Sequence, residues 1–237
     1  MAAKYQVKFK GAEEVAAGTR LFRFEKPENF QYQAGQTIDL ILPKLTGSNA
    51  HTFSLVTEPV ESDLAIATRM RGSDYKNTLN DLLPDDLVEI EGPYGSFALH
   101  QNEQKSAVFL VGGIGITPFM SMIKEAKSNQ KPHKLYLFYS NNEPKDAPFL
   151  SELSDLSNSK ALNLNFIPTM TKLDESDDWS GERGYIDWPM VKRHVPDTDK
   201  AIYYMAGPQG MVQAMRSMLL EAKVDPDSIR FEEFSGY

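Results

Sequence analysis

A strand of the fully buried type runs directly into a glycine-rich turn and then into a helix near the middle of the chain. Residues 107–111 form a continuous apolar run, AVFLV, and the next residues read Gly112-Gly113-Ile114-Gly115-Ile116-Thr117-Pro118. Proline suits the first turn of a helix, and glycines let the backbone approach a phosphate closely. The spacing is G-x-G-x-x-P and not the full G-x-G-x-x-G. This segment alone therefore indicates a dinucleotide site only weakly, and a tight turn without a ligand stays open.

Three further strand patterns alternate with helical patterns in the second half of the chain. They cover residues 135–139, 162–166 and 201–206. This alternation predicts a parallel sheet with crossover helices, that is, an α/β domain. The last run ends in a second glycine turn, Ala206-Gly207-Pro208-Gln209-Gly210-Met211. Because such sheets bind ligands at the carboxyl ends of their strands, we expect the two glycine turns to line one crevice.

The first half reads as short strands separated by glycine and proline. Apolar residues alternate with polar ones, or cluster in short runs, at 4–10, 21–24, 37–42, 51–56, 64–70 and 87–91. Strands at this spacing predict an antiparallel barrel or sandwich, with one helix at 74–83. The polar segment 100–106 resembles a linker. We therefore expect two domains, 1–103 and 104–237.

Composition excludes several classes of protein. The chain has 25 basic and 33 acidic residues, net −8, which disfavours a nucleic-acid partner. No apolar stretch approaches the roughly 18–20 residues of a membrane span, and the start lacks a signal-peptide pattern, so we expect a cytoplasmic protein. Without cysteine the chain cannot hold a disulfide or a cysteine-ligated iron–sulfur cluster. The four histidines are scattered, so no metal site is expected.

Four further segments carry short motifs. They are His51-Thr52-Phe53-Ser54, Tyr75-Lys76-Asn77-Thr78, Gly92-Pro93-Tyr94-Gly95-Ser96-Phe97 and the tail from Phe231 to Tyr237. Together with the two glycine turns, they resemble the ferredoxin–NAD(P)+ reductase superfamily over essentially the whole chain. The resemblance implies an N-terminal antiparallel Greek-key β-barrel that binds FAD, followed by a Rossmann-like parallel α/β domain that binds NADPH or NADH.

The resemblance also implies residue roles. Phe53 would pack on the isoalloxazine, Ser54 would hydrogen-bond flavin N5, and Thr117 would lie where nicotinamide meets flavin. Glu232 would orient nicotinamide or relay a proton, so Ser54, Thr117 and Glu232 are the expected catalytic residues. Further cofactor contacts are expected from His51, Thr52, Arg69, Lys76, Asn77, Thr78, Gly113, Gly115, Ser140, Ala206, Gly207, Met211, Phe234 and Tyr237.

Three positions depart from the family pattern. His51 replaces an arginine, which offers a permanent charge and a two-pronged fork to phosphate. FAD binding would then be weaker, unless Arg69, Arg71 and Lys76 compensate. Ala206 replaces a cysteine near nicotinamide C4. The loop after the second α/β strand carries the neutral Ser140, which leaves the choice between NADH and NADPH open.

The implied function is hydride transfer from NAD(P)H to flavin N5, after which electrons pass to a separate acceptor. A ferredoxin is the first expectation for that acceptor, as in a ferredoxin–NAD(P)+ reductase or an oxygenase reductase component. One alternative is an NAD(P)H:flavin or ferric-chelate reductase with a diffusible acceptor. Another is a non-catalytic nucleotide-sensing module. We expect a monomer or weak dimer.

Overall fold

The computed structural model describes residues 3–159, 161–174 and 176–234. They form two compact units. Unit 1 consists of the chain up to Ala98 together with Thr117–Glu125. Unit 2 consists of Leu99–Ile116 and the chain from Ala126 onward. The expected domain boundary after residue 103 stays a prediction.

Unit 1 is built on a six-stranded antiparallel sheet, as the period-two patterns predict. The strand order is β4-β3-β6-β1-β2-β5, and the Val56 N–H donates to the Ala65 carbonyl, joining the two ends of that order. Alternation places one side chain in two towards the core, so Phe22 and Phe24 are completely buried. The elements are β1 (Ala3–Ala16), β2 (Thr19–Glu25), β3 (Thr37–Ile41), β4 (Ala50–Ser54), β5 (Asp63–Arg69), α1 (Asp74–Asn80) and β6 (Leu87–Tyr94).

Basic side chains are frequent in the first two strands, but the fold supplies them with acidic neighbours. Lys4 lies 2.8 Å from Glu89, and Lys10 lies 2.5 Å from Asp63. These acids come from β5 and β6, which flank β1 and β2 in the sheet. Much of the positive charge of the first strands is thus balanced locally.

Unit 2 is built on a six-stranded parallel sheet in the order β10-β9-β8-β7-β11-β12, which confirms the Rossmann-like prediction. Its central strand β7 is buried at every position, so both of its faces are covered. The sequence analysis did not predict α4, β10 or β12. The elements from residue 107 onward are β7 (Ala107–Gly112), α2 (Thr117–Ser128), β8 (Leu135–Asn141), α3 (Leu150–Asn158), β9 (Leu164–Met170), β10 (Glu182–Arg183), α4 (Trp188–His194), β11 (Ile202–Pro208), α5 (Gln209–Glu221) and β12 (Ile229–Phe234).

Among the described residues, no helix is both long and apolar enough to span a membrane. The same residues contain no group of three or more histidine, aspartate or glutamate side chains placed to hold a metal ion.

Two of the histidines are buried together in unit 2. The Nε2 of His100 lies 3.1 Å from the Lys105 carbonyl, so this nitrogen carries the proton. Its Nδ1 then accepts from the Tyr204 hydroxyl at 3.0 Å. His133 packs edge-on against the His100 ring at 4.9 Å. Burial lowers the pKa of both histidines, so both are neutral packing groups near pH 7.

Candidate functional site

The end of β4 holds a buried hydroxyl that forms no hydrogen bond. Ser54 is 3% exposed, and its Oγ has no partner among the described residues. Phe53, the preceding residue, is half-buried. Because side chains alternate along a strand, Ser54 and Thr52 point away from the face that carries Phe53 and His51. The Thr52 hydroxyl is occupied, since it lies 2.5 Å from an Asp39 carboxylate oxygen.

Three rings form a cluster on the face of β4 that carries Phe53. The Tyr75 ring lies 4.2 Å from the His51 ring and 6.1 Å from the Phe53 ring, centre to centre. Tyr75 itself is fixed, because its hydroxyl donates to the Leu40 carbonyl at 2.7 Å. His51 is exposed at the edge of this cluster. The structure therefore brings two predicted residues, His51 and Phe53, onto Tyr75, which opens the predicted segment Tyr75–Thr78 but was given no role of its own.

Positive charge is concentrated where β5 leads into α1. The Lys76 ammonium donates to the Arg69 carbonyl at 2.6 Å. Burial lowers the pKa of Lys76, and the charges of Arg71 and Arg69 lower it further. Ser73 caps the helix by accepting from the Lys76 N–H at 3.3 Å. Asn77 and Thr78 follow in the same helix, with Asn77 exposed and Thr78 half-buried.

In unit 2 the two glycine turns meet at the carboxyl edge of the sheet. Strand β7 pairs with β11 in the register Val111 to Ala206. A Cβ on Gly115 would lie 2.5 Å from the Ala206 carbonyl oxygen, so only glycine fits there. Gly113 has φ +53° and open space beside it. The predicted residues Gly113, Gly115, Ala206 and Gly207 are therefore neighbours.

Met211 and Ser140 also lie at this edge. A Cβ on Gly112 would collide with the Met211 thioether, so Met211 closes one side of the first glycine turn. Ser140 is half-buried and pairs with Gly112 in the parallel ladder. Their expected cofactor contacts stay predictions.

A tyrosine that the sequence analysis did not single out supports the first turn. The Tyr139 hydroxyl lies 3.1 Å from both the Gly113 carbonyl and the Pro148 carbonyl. The side chain is completely buried at the end of β8. Tyr139 thus joins the glycine turn to the segment before α3. In the sequence it is simply part of an apolar strand, and nothing there marks its hydroxyl.

Glu232 stands beside the second turn, on the edge strand β12. It is opposite Ala206 in the parallel register, and its Oε2 is buried without a partner among the described residues. Burial raises the pKa of Glu232 to about 7. The main chain of Phe234 pairs with Pro208. Tyr237 lies outside the described residues.

The three expected catalytic residues are distributed over the two units. Ser54 and Thr117 belong to unit 1, and Glu232 belongs to unit 2. Thr117 is the first residue of α2 and is 4% exposed.

Comparison with known proteins gives matches over most of the chain. A family model described as the oxidoreductase NAD-binding domain matches residues 109–217. A flavohemoprotein of Bacillus subtilis is 27% identical over 216 residues, which is 88% of this chain and 54% of that protein. The phenol hydroxylase P5 protein of Acinetobacter pittii is 25% identical over 231 residues, 96% of this chain and 64% of that protein. The chain thus spans between half and two thirds of these relatives.

A similar solved structure matches over nearly its whole length. It is a ferredoxin NADP+ reductase from Neisseria gonorrhoeae with bound FAD and NADP, with a TM-score of 0.80 and 18% identity. The match covers 98% of this chain and 99% of that one. At this identity the likeness establishes the fold.

Proposed function

We propose that the chain is an NAD(P)H-dependent flavoprotein reductase of the ferredoxin–NAD(P)+ reductase superfamily, and the match to the NAD-binding family model and the named oxygenase relative support this. In this proposal unit 1 holds FAD, unit 2 holds the nicotinamide dinucleotide, and electrons leave for a separate protein. An oxygenase component or a ferredoxin is the proposed acceptor, because a relative is named as part of a phenol hydroxylase. We further propose that the protein is cytoplasmic and a monomer or weak dimer.

The observation that carries this proposal is the buried Ser54 hydroxyl without a partner. Leaving such a group unsatisfied costs about 1–3 kcal/mol, so native structures rarely keep one without a reason. A flavin ring edge that reaches the end of β4 would offer the missing partner, and Phe53 is half-buried on the opposite face of this strand. When bound, the flavin supplies hydride acceptance and single-electron release, and the protein orients it.

The cations near α1 fit the phosphates of such a cofactor. Arg69, Arg71 and Lys76 lie close enough for each arginine to lower the pKa of the lysine. A dianionic pyrophosphate would relieve that repulsion, and it would restore the pKa of Lys76 towards its ordinary value. His51 would add one donor from its position against Tyr75.

The glycine turns fit the second nucleotide. Gly113 leaves open space at the carboxyl edge of the sheet, where α/β folds bind ligands. Ala206 and Gly207 present main chain to the same edge. Glu232, with its pKa of about 7, holds or releases a proton in the physiological range, which suits a group that orients nicotinamide or relays a proton.

Absorption spectroscopy tests the proposal. The purified protein should be yellow, and anaerobic addition of NADPH or NADH should bleach the flavin band. Addition of an excess of oxidised plant-type [2Fe–2S] ferredoxin as a probe acceptor should then restore the band, since each two-electron-reduced flavin reduces two ferredoxins. A yellow protein that neither nucleotide bleaches contradicts the hydride mechanism, and it favours a nucleotide-sensing role instead.

One observation favours a second candidate, an NAD(P)H:flavin or ferric-chelate reductase. His51 is exposed and supplies only one donor where the family has an arginine fork. A weakly held flavin would then exchange with solution and act as a substrate. A protein that elutes colourless from gel filtration, and whose NAD(P)H oxidation rises with added flavin, would establish this candidate over the first.

A further inference from the structure

Helix α2 carries a buried hydroxyl that the proposed function does not use. The segment from Phe119 to Ile123 is at most 1% exposed, and Ser121 is its only polar residue. Residues Thr117–Glu125 of this helix belong to unit 1, together with the barrel strands. A hydroxyl in such surroundings is costly unless it is hydrogen-bonded. The hydrogen-bond partner of Ser121 therefore shows which segment α2 packs on.

The partner is the main chain just beyond β4. The Ser121 Oγ donates to the Thr57 carbonyl at 2.6 Å. The Tyr32 hydroxyl reaches the same carbonyl at 2.9 Å, so both of its lone pairs are used. The Thr57 Oγ1 accepts from the Ala65 N–H at 3.3 Å and lies 3.1 Å from the Tyr32 hydroxyl. Thr57 is thus held by the barrel and in turn holds α2.

The segment between Ser54 and Thr57 is itself fixed. The Leu55 N–H donates to the Gln36 carbonyl at 3.1 Å, and the Val56 N–H donates to the Ala65 carbonyl at 2.8 Å. Ser54 is only three residues from the carbonyl that Ser121 contacts. On the helix side, Thr117 is four residues before Ser121, which is about 6 Å along the axis. The bond therefore joins two short, rigid segments that end in two of the expected catalytic residues.

We propose that the Ser121 hydroxyl is a positioning group for hydride transfer, which fixes Thr117 relative to Ser54 by holding α2 on the Thr57 carbonyl. This inference rests on the proposed function. Hydride transfer needs its reacting atoms about 3–3.5 Å apart, and a misplacement of about 1 Å can slow a reaction about 100-fold. A neutral hydrogen bond contributes only about 1 kcal/mol to stability. Loss of the Ser121 hydroxyl should therefore affect rate more than folding.

The test compares Ser121→Ala with Tyr32→Phe. Each variant removes one donor to the same carbonyl, but only the first removes the bond to α2. In anaerobic rapid mixing with NADPH or NADH, we expect the limiting rate of flavin bleaching to fall about 5- to 20-fold in Ser121→Ala. The nucleotide concentration for half-maximal rate should change less than twofold. Tyr32→Phe leaves the bond to α2 in place and removes only one of the contacts that fix Thr57, so its rate should fall less than that of Ser121→Ala.

A third variant covers the case in which Ser121→Ala folds poorly. Ser121→Cys keeps a weaker donor in place, and its rate should lie between those of wild type and Ser121→Ala. Thermal unfolding of every variant shows which are folded. The inference is overturned if Ser121→Ala or Ser121→Cys bleaches as fast as the wild-type protein, or if Tyr32→Phe is slowed as much as Ser121→Ala. The proposed function still stands in those cases, provided that the wild-type protein bleaches. Failure of wild type to bleach overturns both.

Discussion

Gly115 lies directly against the main chain of Ala206, because a Cβ on Gly115 would stand 2.5 Å from the Ala206 carbonyl oxygen and 2.7 Å from the Gly207 nitrogen. Both contact atoms are backbone, which cannot rotate out of the way. This contact sets how closely the two glycine turns approach at the carboxyl edge of the sheet.

Gly115→Ala should therefore be destabilising by about 2 kcal/mol or more, through overpacking, and should weaken NAD(P)H binding at least tenfold. Gly210→Ala is the matched control. It lies near the start of α5 with nothing within 4 Å of the added methyl, so it should be neutral or slightly stabilising. Thermal unfolding and nucleotide titration measure both effects. If the two variants had equal stability and equal nucleotide affinity, the close approach of Gly115 to the Ala206 main chain would be contradicted.

Ser54→Ala should slow flavin reduction without lowering the stability of the flavin-free protein. Removing a buried hydroxyl that lacks a protein partner should leave the flavin-free protein as stable as before, or up to about 1 kcal/mol more stable. Flavin reduction should slow about tenfold or more, since an interaction with the hydride acceptor is lost. Ser154→Ala on α3, whose hydroxyl donates to the Leu150 carbonyl of the same helix, should leave the reduction rate unchanged. An unaltered rate in Ser54→Ala would remove Ser54 from the site.

Lys76→Gln should weaken flavin retention. It removes one of three clustered cations, and a charge-assisted hydrogen bond to phosphate contributes about 1.5–3 kcal/mol, which is a factor of roughly ten or more in affinity. Flavin fluorescence after stepwise dilution measures the dissociation constant, and added salt should raise it less in the variant than in wild type. Lys192→Gln, exposed on α4, is the control. Equal retention by both variants would mean that Lys76 does not contact phosphate.

Glu232 should make stability depend on pH near neutrality. Its pKa is about 7 in the folded protein against an ordinary 4.5, so the native state binds more protons than the unfolded state between these values. The free energy of unfolding should therefore fall as pH rises from 4.5 to 7, by at most about 3 kcal/mol.

Glu232→Gln removes the ionising group, so the part of this slope due to Glu232 should disappear. Denaturant unfolding at several pH values measures the slope, and Glu221→Gln, exposed on α5, is the control. The pH profile of flavin reduction should lose its inflection near pH 7 in Glu232→Gln only. If the free energy of unfolding of Glu232→Gln still falls with pH as in the wild-type protein, other titrating side chains cause that dependence.

Many strands of both units were predictable because burial leaves a short, regular pattern of apolar residues in the sequence. The patterns at 21–24 and 107–111 lie within the observed β2 and β7. Strand β12 was missed because its residues from Phe231 onward fall in the segment that the resemblance presents as a covering tail. Helix α4 is short, yet its signals were present. Asp187 caps it by accepting from the Met190 N–H at 2.7 Å, and Pro189 lies in its first turn.

The candidate site was predictable in residue type but not in environment. The order of motifs pointed to Ser54 and Glu232. The Ser54 hydroxyl is buried without a partner among the described residues, and the pKa of Glu232 is about 7. Both properties depend on packing by residues that are distant in sequence. The supporting hydroxyls of Tyr139 and Ser121 were missed for the same reason, since nothing in an apolar run marks a side chain that bonds a remote carbonyl.

The assignment of Thr117–Glu125 to unit 1 limits how this protein can be recombined with its relatives. Phe119 packs edge-on against Phe97 at 5.6 Å, and Met122 fills the space above Gly35. A fragment ending at residue 103 would lack both side chains and leave part of its own core open to water. A chimera that grafts a foreign nucleotide-binding half onto this barrel should therefore retain residues 117–125 from the barrel's parent.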